Sequence, residues 1–182
     1  MLAGIDLALA MNADPEDPLH DRIADRRSPI ADRRIAALGH SCGGLQALAA
    51  GADQRIGTVM ALGSGVYIRP NSGLSGVQIG KDDLLKLHSP VAYVLGGPSD
   101  IACANGNDDF SRIEHVPVVL GSLPVGHGGT CALENGGLWA TFAVHWLDWQ
   151  LRGDEEAKSV ILESKCPLCA DYGWAIRSKR FE

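Results

Sequence analysis

The pentapeptide Gly39-His40-Ser41-Cys42-Gly43 has the form G-x-S-x-G, in which small residues flank a serine that can sit on a sharp turn. A serine hydroxyl is a poor nucleophile at neutral pH and attacks a carbonyl only when a base takes its proton. Asp100 and His127 lie downstream and have residue types that such chemistry uses. In a chain with 12 serines and 22 glycines the pentapeptide alone carries little weight. The elements around it must decide.

Apolar runs and turn segments alternate along most of the chain. Ile35–Leu38 reads as a buried strand ending at Gly39, and Leu45–Ala50 as an alanine-rich helix stopped by Gly51. Ile56–Leu62 is a second strand, closed by Gly63, Ser64 and Gly65, and a short helix is expected around Asp82–Leu87. Val91–Leu95 is a third strand. The segment D-D-F-S-R-I opens another short helix, with Asp108 or Asp109 as its cap. Val116–Leu120 is a fourth strand, and Gly137–Leu151 a long apolar helix carrying Trp139, Phe142, Trp146 and Trp149, which read as core. At the start, Leu2, Ile5, Leu7, Leu9 and Met11 suggest one more helix, ending before Asn12 and Pro15. Strands alternating with helices predict an α/β fold: four parallel strands with helices on both faces. In such sheets function collects at the carboxyl ends of strands. Ser41 follows the first run, Asp100 the third and His127 the fourth, so all three project from one edge.

The bulk properties narrow the classes. The 182 residues suit one domain, with residues 1–34 as helix and linker and 166–182 as a tail. A net charge of −6 argues against nucleic acid or an anionic membrane as partner. Arg26, Arg27, Arg33 and Arg34 alternate with Asp21, Asp25 and Asp32 as a solvated face, and the tandem I-A-D-R-R repeat from Ile23 to Arg34 reads as a surface linker. No run approaches the roughly 20 apolar residues of a membrane span. The first residues lack a positively charged leader. The chain as it reads is expected in the cytoplasm, whereas a start further upstream would allow export. Cys166 and Cys169 form a single C-x-x-C, too few ligands for a structural zinc site, and are expected to bridge each other or fix the tail. No metal or cofactor is expected.

The segments G-H-S-C-G-G, L-G-G-P-S-D-I-A, N-G-N-D-D-F and V-G-H-G-G-T, followed by W-L-D-W-Q-L-R-G-D, resemble the α/β-hydrolase superfamily. The nearest resemblance is to dienelactone-hydrolase-like and polyester-hydrolase-like serine esterases. It covers Ile35 to about Cys169. It implies a Ser-His-Asp triad in which Ser41 is the nucleophile, His127 the base and Asp100 the group that orients the imidazole. It further implies that the Cys42 N–H is an oxyanion donor, and that Gly39 and Gly43 permit the elbow and close helix–strand packing. The Cys42 side chain is expected to point into the helix packing, and His40 to pack or to line the pocket. His20 and His88 read as surface residues and His145 as a core residue. If the acid and base loops converge, Cys103 and Cys131 could form a disulfide or stand as two thiols in the pocket wall.

The family fold usually has eight strands with the nucleophile after the fifth, and an H-G-G-G-type loop upstream supplies a second oxyanion donor. Here the elbow arrives at residue 41, so the resemblance implies a truncated α/β-hydrolase fold that begins near the nucleophile strand. The strand Ile35–Leu38 would then be a sheet edge, which a second copy of the chain or the N-terminal helix could cover. The implied function is hydrolysis of a small carboxylic ester through an acyl-enzyme. The alternative is a weak or inactive truncated hydrolase that acts as a binding or remnant domain.

Overall fold

A computed structural model describes residues 1–22, 35–69, 76–162 and 166–181. The I-A-D-R-R repeat and its arginines lie outside the described residues. Helix α1 spans Leu2–Ala13, strand β1 Ile35–His40, helix α2 Cys42–Ala50 and strand β2 Ile56–Leu62. A single 3-10 segment, Lys81–Lys86, leads to β3 at Val91–Leu95, then α3 at Cys103–Arg112 and β4 at Val118–Ser122. The chain closes with α4 at Gly137–Arg152, α5 at Glu155–Leu162, α6 at Pro167–Tyr172 and β5 at Ala175–Lys179.

The sheet runs in chain order, β1-β2-β3-β4-β5. β1 to β4 are parallel, and β5 adds antiparallel to β4, with Leu120 opposite Arg177. The protein is therefore α/β, as the alternation of strand and helix runs predicts. The fifth strand departs from the expected four. Its sequence, A-I-R-S-K, is half polar and largely exposed, which suits an edge strand and leaves little apolar signal. β4 also begins two residues later than expected, after Pro117, which has no N–H to donate to a ladder.

Alternate residues of each central strand face opposite sides, and each side has its own core. Val59, Ala61, Val91, Tyr93, Leu95, Val118 and Leu120 join α2 and α3 side chains on one face. Met60, Leu62, Ala92, Val94 and Val119 meet Trp139, Phe142 and Trp146 of α4 on the other. The spacing 139, 142, 146 puts the three rings on one stripe of α4, and each is at most 1% exposed. Truncating any of them to alanine would cost about 3–5 kcal/mol. Trp146 also donates its Nε1–H to Thr58 Oγ1 at 2.9 Å, and Thr58 donates in turn to the Pro90 carbonyl. α4 ends at Gly153, whose left-handed conformation (φ 72°) closes the last turn.

β1 is the edge strand opposite β5, and Leu38 there is 43% exposed. α1 packs Ile5 against the core and is tied by Asp6, whose carboxylate accepts from Arg55. No helix among the described residues is long and apolar enough to cross a membrane. Cys166 and Cys169 form a disulfide at the start of α6, and no group of three or more His, Cys, Asp or Glu among the described residues could hold a metal ion.

Candidate active site

β1 ends at His40, and the chain reverses at once into α2. Ser41 occupies the junction with φ 54° and ψ −118°, a conformation that costs a non-glycine residue about 1–3 kcal/mol and persists only where surrounding bonds over-determine it. Those bonds are present. The Ser41 N–H donates to the Leu62 carbonyl at 2.9 Å, and the Ser41 carbonyl accepts from Gly44 N–H at 2.9 Å and Ser64 Oγ at 2.8 Å. The glycines beside the turn are not equivalent. A Cβ on Gly39 would collide with the Gly43 backbone, and one on Gly44 with the Ser64 side chain, whereas Gly43 has open space around its Cα. Close packing at the elbow therefore rests on Gly39 and Gly44, which corrects the expectation for Gly43.

Ser41 Oγ lies 3.0 Å from His127 Nε2, and His127 Nδ1 lies 2.7 Å from Asp100 Oδ1. The carboxylate can only accept, so Nδ1 carries the proton and Nε2 is left free to accept from the hydroxyl. Asp100 also takes the Gly96 N–H on Oδ2 and the Ala102 N–H on Oδ1, both at 2.9 Å. Burial raises its pKa, but the Gly96 and Ala102 N–H groups and His127 outweigh that and hold it below the ordinary aspartate value. The group facing the imidazole is thus an anion at neutral pH.

The loops that carry Asp100 and His127 are joined to each other. The Gly96 carbonyl accepts from both Val125 and Gly126 N–H, and a Cβ on Gly96 would run into the Gly126 carbonyl. Beyond His127, Thr130 Oγ1 donates to the Gly136 carbonyl and accepts the Trp139 N–H, fixing the loop to the start of α4. A cavity of about 60 Å³ opens beside Ser41 and His127, lined by Leu45, Tyr67, Ile101, Ala102 and Asn105 among others. The Cys42 N–H is the first of α2 and belongs to the helix N–H groups that lack an intrahelical partner. Beside an oxygen bound to Ser41, it can donate to a developing negative charge.

Some other expectations are corrected and some are met. Asp108 and Asp109 lie inside α3, which begins at Cys103, so neither caps it. Asp109 is fully buried and takes Lys81 Nζ at 2.6 Å and Val66 N–H at 2.7 Å. Cys103 and Cys131 are free thiols, the second of the two alternatives, but neither lines the cavity: Cys131 is exposed and Cys103 is paired to Asn107 within α3. Cys42 is exposed and lines the cavity, because the turn swings its side chain away from the core. Of the two places expected for His40, the structure has the first: it packs on His127 and Trp139 and is not among the residues lining the cavity. His145 is half-buried, not core. His20, His88 and His115 bond to the carbonyls of Asn12, Asp53 and Leu87.

Sequence reasoning passed over Ser64, which is 3% exposed and supports the elbow from behind. Its signal was there: a G-S-G step at the carboxyl end of β2, one strand over from Ser41. No protein-family model matches the chain, and no curated protein matches it.

Proposed function

We propose that this protein is a serine hydrolase that cleaves small carboxylic esters through an acyl-enzyme on Ser41, in keeping with its resemblance to the α/β-hydrolases. The observation that carries the reading is the continuous hydrogen-bonded line from Ser41 Oγ through His127 to an ionised Asp100, at 3.0 and 2.7 Å. In the first half-reaction His127 Nε2 takes the hydroxyl proton as Ser41 Oγ attacks the ester carbonyl. Asp100 stabilises the imidazolium that forms, and the Cys42 N–H donates to the oxyanion. Collapse of the tetrahedral intermediate breaks the bond to the alcohol oxygen, which receives the proton from His127. A water molecule, deprotonated by the same imidazole, then attacks the acyl-serine and releases the acid.

The favoured substrates are small esters, since the space beside Ser41 is only about 60 Å³ and is bounded by Tyr67 and Asn105. The test is turnover of p-nitrophenyl acetate by the wild-type protein and by Ser41→Ala. Hydrolysis by the wild type and a fall of at least about 10³-fold in the variant are expected. Equal rates would leave a non-catalytic domain as the reading.

A further inference from the structure

We infer that His40 is a positioning residue that fixes the main chain of the base: its Nε2–H donates to the His127 carbonyl at 2.7 Å. This rests on the hydrolase reading above. A carbonyl oxygen can only accept, so the bond sets the His40 tautomer with the proton on Nε2. The two imidazole rings lie 5.1 Å apart, and the His40 ring also packs on Trp139 at 6.0 Å.

Room for the bond is kept by a third element. Gly63, at the end of β2, has φ +48°, and a Cβ there would press on both His40 Nε2 and the His127 carbonyl at 3.0 and 3.1 Å. The end of β1 and the turn after β2 thus both border one oxygen atom, the His127 carbonyl in the loop after β4. The need for such an anchor is clear from the sequence around the base. Gly126 and Gly129 both have positive φ, and with Gly128 they leave a main chain of low intrinsic stiffness. Asp100 holds the imidazole of His127, but the Cα it hangs from is held on its carbonyl side by His40. His40 is also the residue before Ser41, so one strand end carries the nucleophile and the anchor for the base. The distance between Ser41 Oγ and His127 Nε2 is therefore set through a short, stiff path.

His40 is exposed, so its loss removes a restraint and not a core side chain. Net hydrogen bonds of this kind correspond to about a five- to tenfold change in an equilibrium or rate. His40→Leu and His40→Gln separate the roles, because the glutamine amide nitrogen reaches about as far as imidazole Nε2 and still donates. The readouts are kcat and KM for p-nitrophenyl acetate, and the low-field NMR resonance of the His127 Nδ1 proton. In His40→Leu, kcat is expected to fall about five- to tenfold with KM little changed, and the resonance to broaden or shift upfield. His40→Gln is expected to restore both. If His40→Leu does not fold, His40→Asn takes its place, being polar but too short to reach. An unchanged kcat and resonance in the short variants, or a glutamine variant as impaired as leucine, would overturn the inference. A wild-type protein without esterase activity would overturn the hydrolase reading instead. The His127 resonance then decides His40 alone, and its persistence in His40→Leu counts against the anchor.

Discussion

Asp100 and Asp109 stand nine residues apart, one just before α3 and one inside it, and both are withdrawn from water at 3% and 0% exposure. Their charges are treated in opposite ways. Asp100 receives two main-chain N–H groups and an imidazole, and its pKa is held down although burial alone would raise it. Asp109 lies deeper, and burial pushes its pKa up to about 6 despite Lys81 and the Val66 N–H. The cation beside it is divided, since Lys81 also reaches Asp108 at 2.7 Å and the Asn105 carbonyl at 3.2 Å. Fixed main-chain donors suit a group that must remain an anion beside a base. A shared lysine suits a group whose task is to hold the Val66 segment, and with it the wall of the cavity, against α3.

Asp100→Asn should break the comparison most severely. The amide keeps an acceptor for the main chain but presents N–H to His127 Nδ1, which forces the other tautomer and removes the acceptor from Nε2. A fall in kcat on the order of 10⁴ is expected, with the fold retained, as read by ester turnover and circular dichroism. Wild-type activity in this variant would remove Asp100 from the account.

Asp109 should show itself in stability against pH. Its folded pKa lies above the ordinary 3.8, so between about pH 4 and 6 the native state binds more protons than the unfolded chain. Stability therefore falls as pH rises through that window, by up to about 3 kcal/mol from this group. Asp100 has the opposite sign: its contribution is present above the ordinary aspartate pKa and is lost as pH falls through the lowered value. Urea midpoints of wild type and Asp109→Asn, measured from pH 4 to 7, should converge or cross as pH rises, because the amide does not ionise. Parallel curves would show that Asp109 is unperturbed. In Lys81→Met, loss of the neighbouring cation should carry the decline to higher pH.

The four parallel strands and the order of Ser41, Asp100 and His127 were legible because buried strands read as apolar runs, and because loops after parallel strands emerge on one edge. β2 and β3 match their expected limits residue for residue. β5 was not legible, since its pairing with β4 joins residues more than 50 positions apart and its alternation is half polar. α3 was read too short because Asn105, Gly106 and Asn107 are weak helix formers; at Gly106 a Cβ would run into Leu95 and the Ser64 carbonyl. The same distinction separates Gly43 from Gly44. The sequence marks both as glycine, and only Ser64 on the neighbouring strand end tells which one is needed. That His40 packs was expected, but its hydrogen bond was not legible for a related reason: the partner is a main-chain carbonyl, which leaves no trace in residue types.

The most direct test is covalent labelling of the folded protein with a fluorophosphonate, with the adduct located by peptide mass. An activated serine at the end of β1 should give one phosphonyl adduct on Ser41, lost in Ser41→Ala and formed far more slowly in His127→Ala. No adduct on the folded wild-type protein, or an adduct on any other residue, would contradict the account.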